Sequence, residues 1–381
     1  MRVHAIGLGG AGCRIVDRLV AAHGDEPFLH GCNAFDTDAA TLESLHALDS
    51  SRRYRFGDAA GGGGLNGDLH AGRQLGEAHG SELSRAMDDE RPSQAEAFLL
   101  VVGLAGGAGA GAAPPLAAEL QRLYDTPVYA LGILPAVSES EPQSPDRPRS
   151  DQPATDTDPP AQPLADKNAA RTLDALSARC SAVFPFDIEA WVRPGEQPSA
   201  AYDRVNGAIS ERLAALFGAG ETDDAGSTPQ QVLDASDLGR AVGDDGAIAA
   251  IGYATQTVAS TSTTSRFGLG LFESNEPADV DTSEAVSAIE TVIRKATRGK
   301  STIDVPDGAA DRTLLVVGGP PEWLNREAIA AGRRWLTEET GSGAILSGDA
   351  PVPGGDEVFA VVVRSGIDDP ARIRALRDLI A

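Results

Sequence analysis

Lysine is nearly absent from this chain of 381 residues, in which Lys167, Lys295 and Lys300 are the only lysines among 32 basic residues. Its 56 acidic residues leave a net charge of −24, and so negative a surface repels phosphates, which argues against nucleic acid as a partner. An acidic surface with little lysine and 43 glycines is expected of a protein of a salt-loving archaeon, because molar salt screens the self-repulsion. An acidic protein of an ordinary cytoplasm is the alternative.

Cysteine and long apolar runs are also scarce. Cys13, Cys32 and Cys180 lie far apart, with no CxxC pair and no clustered histidines, so they indicate neither a disulfide framework nor a zinc site. No stretch approaches the roughly 18 consecutive apolar residues of a membrane-spanning helix. The first residues, MRVHAIGLGG, lack the basic segment and cleavage site of a signal peptide. We therefore expect a cytoplasmic protein without a metal site of its own side chains.

Short apolar runs and helical patterns alternate over residues 1–135. The pattern predicts strands at 3–8, 97–104 and 128–134 and helices at about 11–22 and 112–123. This alternation is typical of a parallel sheet with crossover helices. Residues 138–166 are rich in proline, aspartate and serine and nearly free of large apolar groups, so we expect a disordered insertion there.

The second half of the chain has a different pattern. A central amphipathic helix is predicted at about 200–217, and a polar gap at 218–231 follows it. Beyond the gap, strands are predicted at 247–254, 267–272, 313–317 and 358–363, and helices at 282–296 and 326–339. The mixture predicts an α+β domain at 238–381, packed on a first domain at 1–237.

Two glycine loops follow predicted strands in the first half. Gly7, Gly9 and Gly12 form a GxGxxG at a strand-to-helix junction, where main-chain N–H groups can hold a phosphate. Asp36 and Asp38 follow at the distance expected of a dinucleotide-binding Rossmann domain, which keeps that alternative open.

The second loop, AGGAGAG at 105–111, favours another nucleotide, because a simple dinucleotide fold does not need it. It lacks a Lys-Ser/Thr ending, so it is not a Walker loop, and main-chain N–H groups, a helix dipole and Mg²⁺ would have to meet the phosphate charge. Alternatively, its glycines merely let helix and sheet approach closely. A third tract, GGGG at 61–64 followed by LNGD at 65–68, is either a further phosphate loop or a plain surface loop.

These segments resemble the tubulin/FtsZ superfamily, and within it the haloarchaeal CetZ group. The loop at 105–111 is similar to the signature GGGTGSG and is followed by the family's AAP, while GLGGAGCRIVD at 7–17 and Gly67-Asp68 resemble two further nucleotide loops. The segments that resemble CetZ in the same order are NAARTL at 168–173, FDIEAW at 186–191, YDRVNGAI at 202–209, VLDASDL at 232–238, LLVVGGPPEWLNREAI at 314–329 and RRWLTEETG at 333–341.

The resemblance implies an α/β fold in which a Rossmann-like GTPase domain with a parallel sheet is joined by the central helix to an α+β C-terminal domain. It implies GTP and Mg²⁺ as cofactors, with hydrolysis completed by a loop of the next subunit in a filament. The expected partners are therefore other copies of the chain in a protofilament, and also other tubulin-like filaments or membrane-linked adaptors. The expected role is the control of archaeal cell shape.

The resemblance also implies a set of nucleotide-binding residues. Those expected along the phosphates are Gly9, Gly10, Ala11, Gly12, Cys13, Arg14, Asn66, Gly67, Gly106, Gly107, Ala108, Gly109 and Ala110. Glu139 would hold the ribose, Asn206 would read the guanine, and Tyr202 would stack on the base. Tyr202 also lies on the apolar stripe of its helix and Glu139 opens the insertion, so a structural role stays open for both.

Asp234 and Asp237 resemble the catalytic acids of the family's activating loop, which orient water at the γ-phosphate of the neighbouring subunit. The alternative is that Asp234 is a helix N-cap with Asp237 in the first turn, which is favourable whatever the function.

The signature is altered at several positions. Ala105, Ala108 and Ala110 replace a glycine and two hydroxyl residues, and Ile188 stands where the family usually has an asparagine that contacts the nucleotide. Lost hydroxyls would weaken catalysis more than binding, so a catalytically weak GTP-binding regulator of other filaments is the second hypothesis. A nicotinamide-dependent oxidoreductase, based on GxGxxG and Asp36, is the third.

Overall fold

The computed structural model describes residues 1–58, 61–137, 164–220, 233–259, 280–306, 308–368 and 370–381. The strands are β1 (Val3–Leu8), β2 (Leu29–Asp36), β3 (Arg53–Arg55), β4 (Ala97–Gly103), β5 (Val128–Leu134), β6 (Ala182–Asp187), β7 (Ala247–Thr257), β8 (Ala310–Gly319), β9 (Ala344–Pro351) and β10 (Glu357–Ile367). The helices are α1 (Gly9–His23), α2 (Ala39–Glu43), α3 (Leu69–Arg85), α4 (Ala108–Leu123), α5 (Ala165–Ser177), α6 (Pro198–Phe217), α7 (Ala235–Val242), α8 (Thr282–Arg298), α9 (Arg326–Thr340) and α10 (Ala371–Arg377).

The strands form one sheet in the order β3-β2-β1-β4-β5-β6-β7-β10-β8-β9. The strands from β1 to β6 are all parallel, whereas β10 is antiparallel to both of its neighbours, β7 and β8. This confirms the predicted parallel α/β part followed by an α+β part. The two parts share a sheet because β7 pairs with β6, although only at Ala182–Ala247 and Val183–Ile248.

Helices cover both faces of this sheet. On one face of the parallel part, α1 and α6 bury Leu19 and Leu213, while on the other face α4 and α5 bury Leu120 and Leu173. In the second part α8 and α9 pack on β8 and β10, with Ile293 fully buried between them. Among the described residues, no helix is both long enough and apolar enough to cross a membrane.

Most predicted elements are present, with small changes at their ends. Strands β1 and β5 and the central helix α6 were predicted closely, but β2, β3, β6 and β9 were missed. Helix α5 begins at Ala165, so the last residues of the insertion predicted at 138–166 are helical, and Ala165 is 1% exposed. The strand predicted at 267–272 and most of the insertion lie outside the described residues. The predicted domain boundary at 237 would divide α7, and the division into domains stays a prediction.

The position of α1 depends on the absence of a side chain at Gly12. A Cβ atom there would lie 1.9 Å from the carbonyl oxygen of Val101 in β4, far inside any real contact distance. We expect Gly12→Ala to lower the free energy of unfolding by about 2 kcal/mol or more, because α1 must move away from the sheet. Urea denaturation followed by circular dichroism measures this.

Gly10→Ala is the matched control two residues earlier in the same helix. Its Cβ would meet the Arg14 guanidinium at 3.2 Å, and the end of a flexible side chain can move aside. We expect a change within about 0.5 kcal/mol. Equal destabilisation by both alanines would contradict the close approach of α1 to β4.

Candidate functional site

A cavity of about 450 Å³ opens at the C-terminal ends of the parallel strands. Leu8 at the end of β1, Gly103 at the end of β4, Leu134 at the end of β5 and Ile188 just after β6 all line it. Ligands of open parallel sheets bind outside the carboxyl ends of the strands, because the loops and helix N-termini meet there. The cavity is therefore where this fold places a ligand.

Two helices begin at the wall of this cavity, α1 at Gly9 and α4 at Ala108. The N-cap residues of these helices are Leu8 and Gly107, and neither has a side chain that caps the amides of the first turn. Neither first turn contains an acidic residue. By contrast, the side chains of Asp234, Asp281 and Asn325 cap α7, α8 and α9. The amides and the positive dipole ends of α1 and α4 are thus suited to an anion from outside the chain.

The third glycine tract closes another side of the cavity, where Gly64, Asn66 and Gly67 line it. Asn168 in α5 fixes this tract to the second loop, since its Nδ2 donates to the carbonyl of Gly67 at 2.8 Å and to that of Ala105 at 3.2 Å. Asn168 is 3% exposed. Sequence reasoning did not single it out, because an asparagine in a helix has no signature for bridging two distant carbonyls.

The opposite wall is mainly apolar and comes from α6. Tyr202, Val205, Asn206 and Ile209 face the cavity there, together with Ile188. Asn206 provides an amide among the aliphatic side chains of this wall. The aliphatic side chains can pack on the face of a flat heterocycle, and the amide can form hydrogen bonds with its polar edge. Tyr202 both lines the cavity and packs against the main core, so its stacking role and its structural role are compatible.

Most of the predicted nucleotide-binding residues line this one cavity. They are Gly9, Gly10, Ala11, Arg14, Asn66, Gly67, Gly106, Gly107, Ala108, Gly109, Ile188, Tyr202 and Asn206. Gly12, Cys13 and Ala110 lie behind its wall instead. The Cys13 thiol donates to the carbonyls of Gly7 and Phe35, and burial raises its pKa well above the usual value. Glu139 lies outside the described residues.

Asp36, Asp38 and Thr41 also line the cavity and were not assigned to a triphosphate site. Asp36 ends β2 and accepts hydrogen bonds from the amides of Thr37 at 2.7 Å and Asp38 at 3.3 Å. Asp38 caps α2 and accepts from the Thr41 hydroxyl at 2.9 Å. The polar turn after β2 is the signal that could have found them. No group of three or more His, Cys, Asp or Glu side chains in the described residues forms a metal site by itself.

Asp234 and Asp237 are not part of this cavity. They form a reciprocal capping box at the start of α7, in which each carboxylate accepts the amide of the other, and Arg240 donates to Asp237. Gly220 lies close to both Leu233 and Met1, since a Cβ on Gly220 would be 2.1 Å from the carbonyl oxygen of Leu233 and 3.9 Å from the nitrogen of Met1. Asp234 follows Leu233 in the chain and is therefore near the beginning of β1. The glycine loops lie at the other end of this six-residue strand, about 20 Å away.

Comparisons with known proteins agree with this arrangement. The GTPase domain model of the Tubulin/FtsZ family matches residues 2–149, and the model of the C-terminal domain of Tubulin-like CetZ matches residues 195–381. Tubulin-like protein CetZ5 of Haloferax volcanii is 32% identical over 99% of this chain and 91% of its own length. Tubulin-like protein CetZ1 of the same organism is 33% identical over 100% of this chain and 91% of its own.

The chain belongs to the CetZ family of tubulin-like proteins. The structure of the GDP-bound monomer of CetZ1 from Haloferax volcanii covers 100% of this chain and 98% of that one, with 30% identity and a TM-score of 0.81. The GTPγS-bound protofilament structure of CetZ2 covers 100% and 97%, with 27% identity and a TM-score of 0.79. An FtsZ of M. jannaschii, at 18% identity and a TM-score of 0.66, shows the shared fold alone.

Asp36 makes the stability of this CetZ chain depend on pH. Its side chain is 3% exposed, and burial raises its pKa from 3.8 to about 6, although the amides of Asp38 and Thr37 oppose the shift. Because the folded state holds the proton more tightly than the unfolded state, the stabilisation from protonated Asp36 is lost as the pH rises through 6. We expect the unfolding free energy of the wild type to fall by about 1 kcal/mol more than that of Asp36→Asn between pH 5 and pH 7.5.

Urea denaturation in one KCl buffer at the two pH values measures this difference. Asp49→Asn is the control, since Asp49 is an exposed N-cap whose pKa is lowered, mainly by the Ser51 hydroxyl, and which stays ionised over this range. Asp49→Asn should keep the pH dependence of the wild type. The same dependence in Asp36→Asn would show that Asp36 is not its source.

Proposed function

We propose that this CetZ protein binds GTP in the cavity at the strand ends. The observation that carries the proposal is the meeting of two helix N-termini without side-chain caps, α1 and α4, with a largely apolar wall that presents the amides of Asn206 and Gln197. The first feature suits a polyphosphate and the second a base. The related CetZ1 and CetZ2 structures are described as bound to GDP and GTPγS, which supports the same use of the cavity here.

The order of the strands gives the expected direction of the nucleotide. The glycine loops follow β1 and β4, Pro135 follows β5, and Ile188 follows β6. Three inter-strand spacings separate β1 from β6, or about 14 Å, which suits an extended nucleoside triphosphate. The phosphates would then lie over β1 and β4, the ribose near β5, and the guanine between Ile188 and α6, where Asn206 would read its edge and Tyr202 would contact its face.

Mg²⁺ is proposed together with the triphosphate. In proteins this ion uses one or two carboxylates, phosphate oxygens and water, and it seldom needs a complete set of protein ligands. Asp36 and Asp38 provide two carboxylates at the cavity wall, beside the proposed phosphate positions, so the donor set fits. Magnesium would neutralise charge on the phosphates, while Arg14 provides a cation from the protein side.

We further propose that hydrolysis is completed between subunits. Asp234 and Asp237 lie at the end of the subunit opposite to the cavity, so they can reach a γ-phosphate only if a second copy stacks end to end. The protofilament of CetZ2 supports such stacking. The protein would then be a cytoskeletal GTPase of the cytoplasm, acting in the cell shape of a halophilic archaeon, with other tubulin-like filaments or membrane-linked adaptors as further partners.

A catalytically weak regulator is the second candidate, and the altered signature loop favours it. Ala105 and Ala108 line the cavity without a hydroxyl to offer a phosphate or metal. Ala110 is 1% exposed and faces the core, so its change matters less for direct contact. The family assignment leaves the nicotinamide-dependent hypothesis without support.

We expect Asp234→Asn to bind GTP as the wild type does but to release phosphate about 100-fold more slowly, because the carboxylate that orients water is lost. Asparagine is an equally good N-cap, so α7 is kept. Asp281→Asn is the matched control, since Asp281 caps α8 and, like Asp234, accepts a hydrogen bond from the hydroxyl of the serine two residues on. Phosphate release and pelleting in molar KCl with Mg²⁺, at increasing protein concentration, measure both assembly and catalysis.

Mixing two variants, each impaired in a different half of the proposed site, tests whether the site forms between subunits. Asp234→Asn has an intact cavity, and Asn206→Ala has an intact Asp234, so their mixture should recover part of the activity that each has lost. A wild-type rate per subunit that does not rise with concentration would contradict hydrolysis between subunits. GTP binding without pelleting or phosphate release would favour the regulator.

A further inference from the structure

One arginine of the C-terminal helix reaches three separate segments behind the cavity. Arg372 in α10 donates from Nη2 to the carbonyl of Pro135 at 3.0 Å and to Asp166 Oδ1 at 3.4 Å. Its Nε lies 3.9 Å from Asp187 Oδ1. Its side chain is 19% exposed, so these contacts are largely shielded from solvent. The three partners follow β5, begin α5 and end β6, and they are distant in sequence from Arg372.

Each partner of Arg372 is at or next to a residue of the cavity wall. Pro135 itself lines the cavity, Ala165 precedes Asp166, and Ile188 follows Asp187. Pro135 and Ile188 lie on the side proposed for ribose and base, whereas α5 also contacts the glycine loops through Asn168. Arg372 does not line the cavity, so it would act on a ligand through these segments and not by direct contact.

A guanidinium group suits this position because its N–H groups form a rigid fork that can meet several acceptors at once. Burial raises the pKa of Asp187, and the charge of Arg372 opposes this shift. Without Arg372, two carboxylates and a carbonyl would face one another with no cation between them. The segments would then separate or take up water.

A second contact fixes the same wall from the other side. Glu189 lies in the turn that begins at Ile188, and its carboxylate accepts a hydrogen bond from the amide of Val137 at 3.0 Å. The chain after β5 is therefore held to the turn after β6 by Glu189 and to the C-terminal helix by Arg372.

We propose that Arg372 is a positioning residue that sets the ribose and base side of the nucleotide cavity from the C-terminal helix. This inference rests on the proposed function, since it concerns how the nucleoside half of GTP is held. It makes the C-terminal helix part of the specificity of a site whose lining residues lie between Leu8 and Ile209.

The experiment compares the binding of GTP and of inorganic tripolyphosphate by calorimetry in molar KCl with Mg²⁺. We expect Arg372→Gln to bind GTP about tenfold more weakly than the wild type and to bind tripolyphosphate equally well, because the segments after β5 and β6 are disturbed while Asn168 still holds the glycine loops together. Arg372→Lys should fall between the two, since lysine keeps the charge but not the fork. A purely structural arginine would lower both affinities together or neither.

Arg377→Gln is the matched control. Arg377 lies on the same helix, and its Nε contacts Asp174 of α5 at 2.8 Å, but neither residue adjoins the cavity wall. This variant should bind both ligands as the wild type does. Wild-type GTP affinity in Arg372→Gln, or an equal loss of GTP and tripolyphosphate binding, would overturn the proposal.

Hydrogen–deuterium exchange of the nucleotide-free protein separates this inference from the proposed function. Arg372→Gln should speed exchange at residues 132–137 and 184–188, whereas Arg377→Gln should not. If the wild type binds no GTP, the proposed function fails, and faster exchange at these residues would still support the positioning role. Unchanged exchange would overturn the role of Arg372 even if GTP binds.

Discussion

The site depends on the close approach of backbones that side chains would keep apart. A Cβ at Gly109 would lie 2.2 Å from the carbonyl oxygen of Leu8, and one at Gly72 would lie 2.0 Å from that of Gly107. With Gly12 against Val101, these contacts press α1, α3 and α4 onto each other and onto the ends of β1 and β4. Main-chain packing therefore aims the amides at the cavity, and glycine is the residue that permits it.

The placement of these helix ends and amides explains how so acidic a chain could bind a polyphosphate. A net charge of −24 gives no general attraction for an anion, so binding must come from local groups. The helix ends at α1 and α4 have partial positive charge and lack acidic residues, Arg14 adds a full charge, and a proposed Mg²⁺ would add two. The acids near the start of α7 lie far from this site, which keeps them from repelling the ligand in the same subunit.

Much of the fold and the glycine-loop side of the cavity could be predicted from the sequence, because apolar runs and glycine loops have local signatures. Strand β6 was missed because it contains Pro185, which is tolerated since β7 pairs with β6 only before this residue. Strand β2 was missed because it contains a polar residue, Asn33. The side chain of Asn33 is buried and hydrogen-bonded to His4, and a hydrophobic pattern cannot show that a polar residue is buried in this way. Asn168 and Arg372 act through contacts between distant segments, which spacing along the chain does not reveal.

The most direct test of the central claim is equilibrium binding of GTP, ATP and NAD to the wild-type protein in molar KCl with Mg²⁺. We expect that GTP binds, that GDP competes with it, and that ATP and NAD compete far more weakly, because Asn206 would meet the guanine edge and the helix ends of α1 and α4 would meet the phosphates. Equal binding of ATP, or binding of NAD in place of GTP, would contradict it.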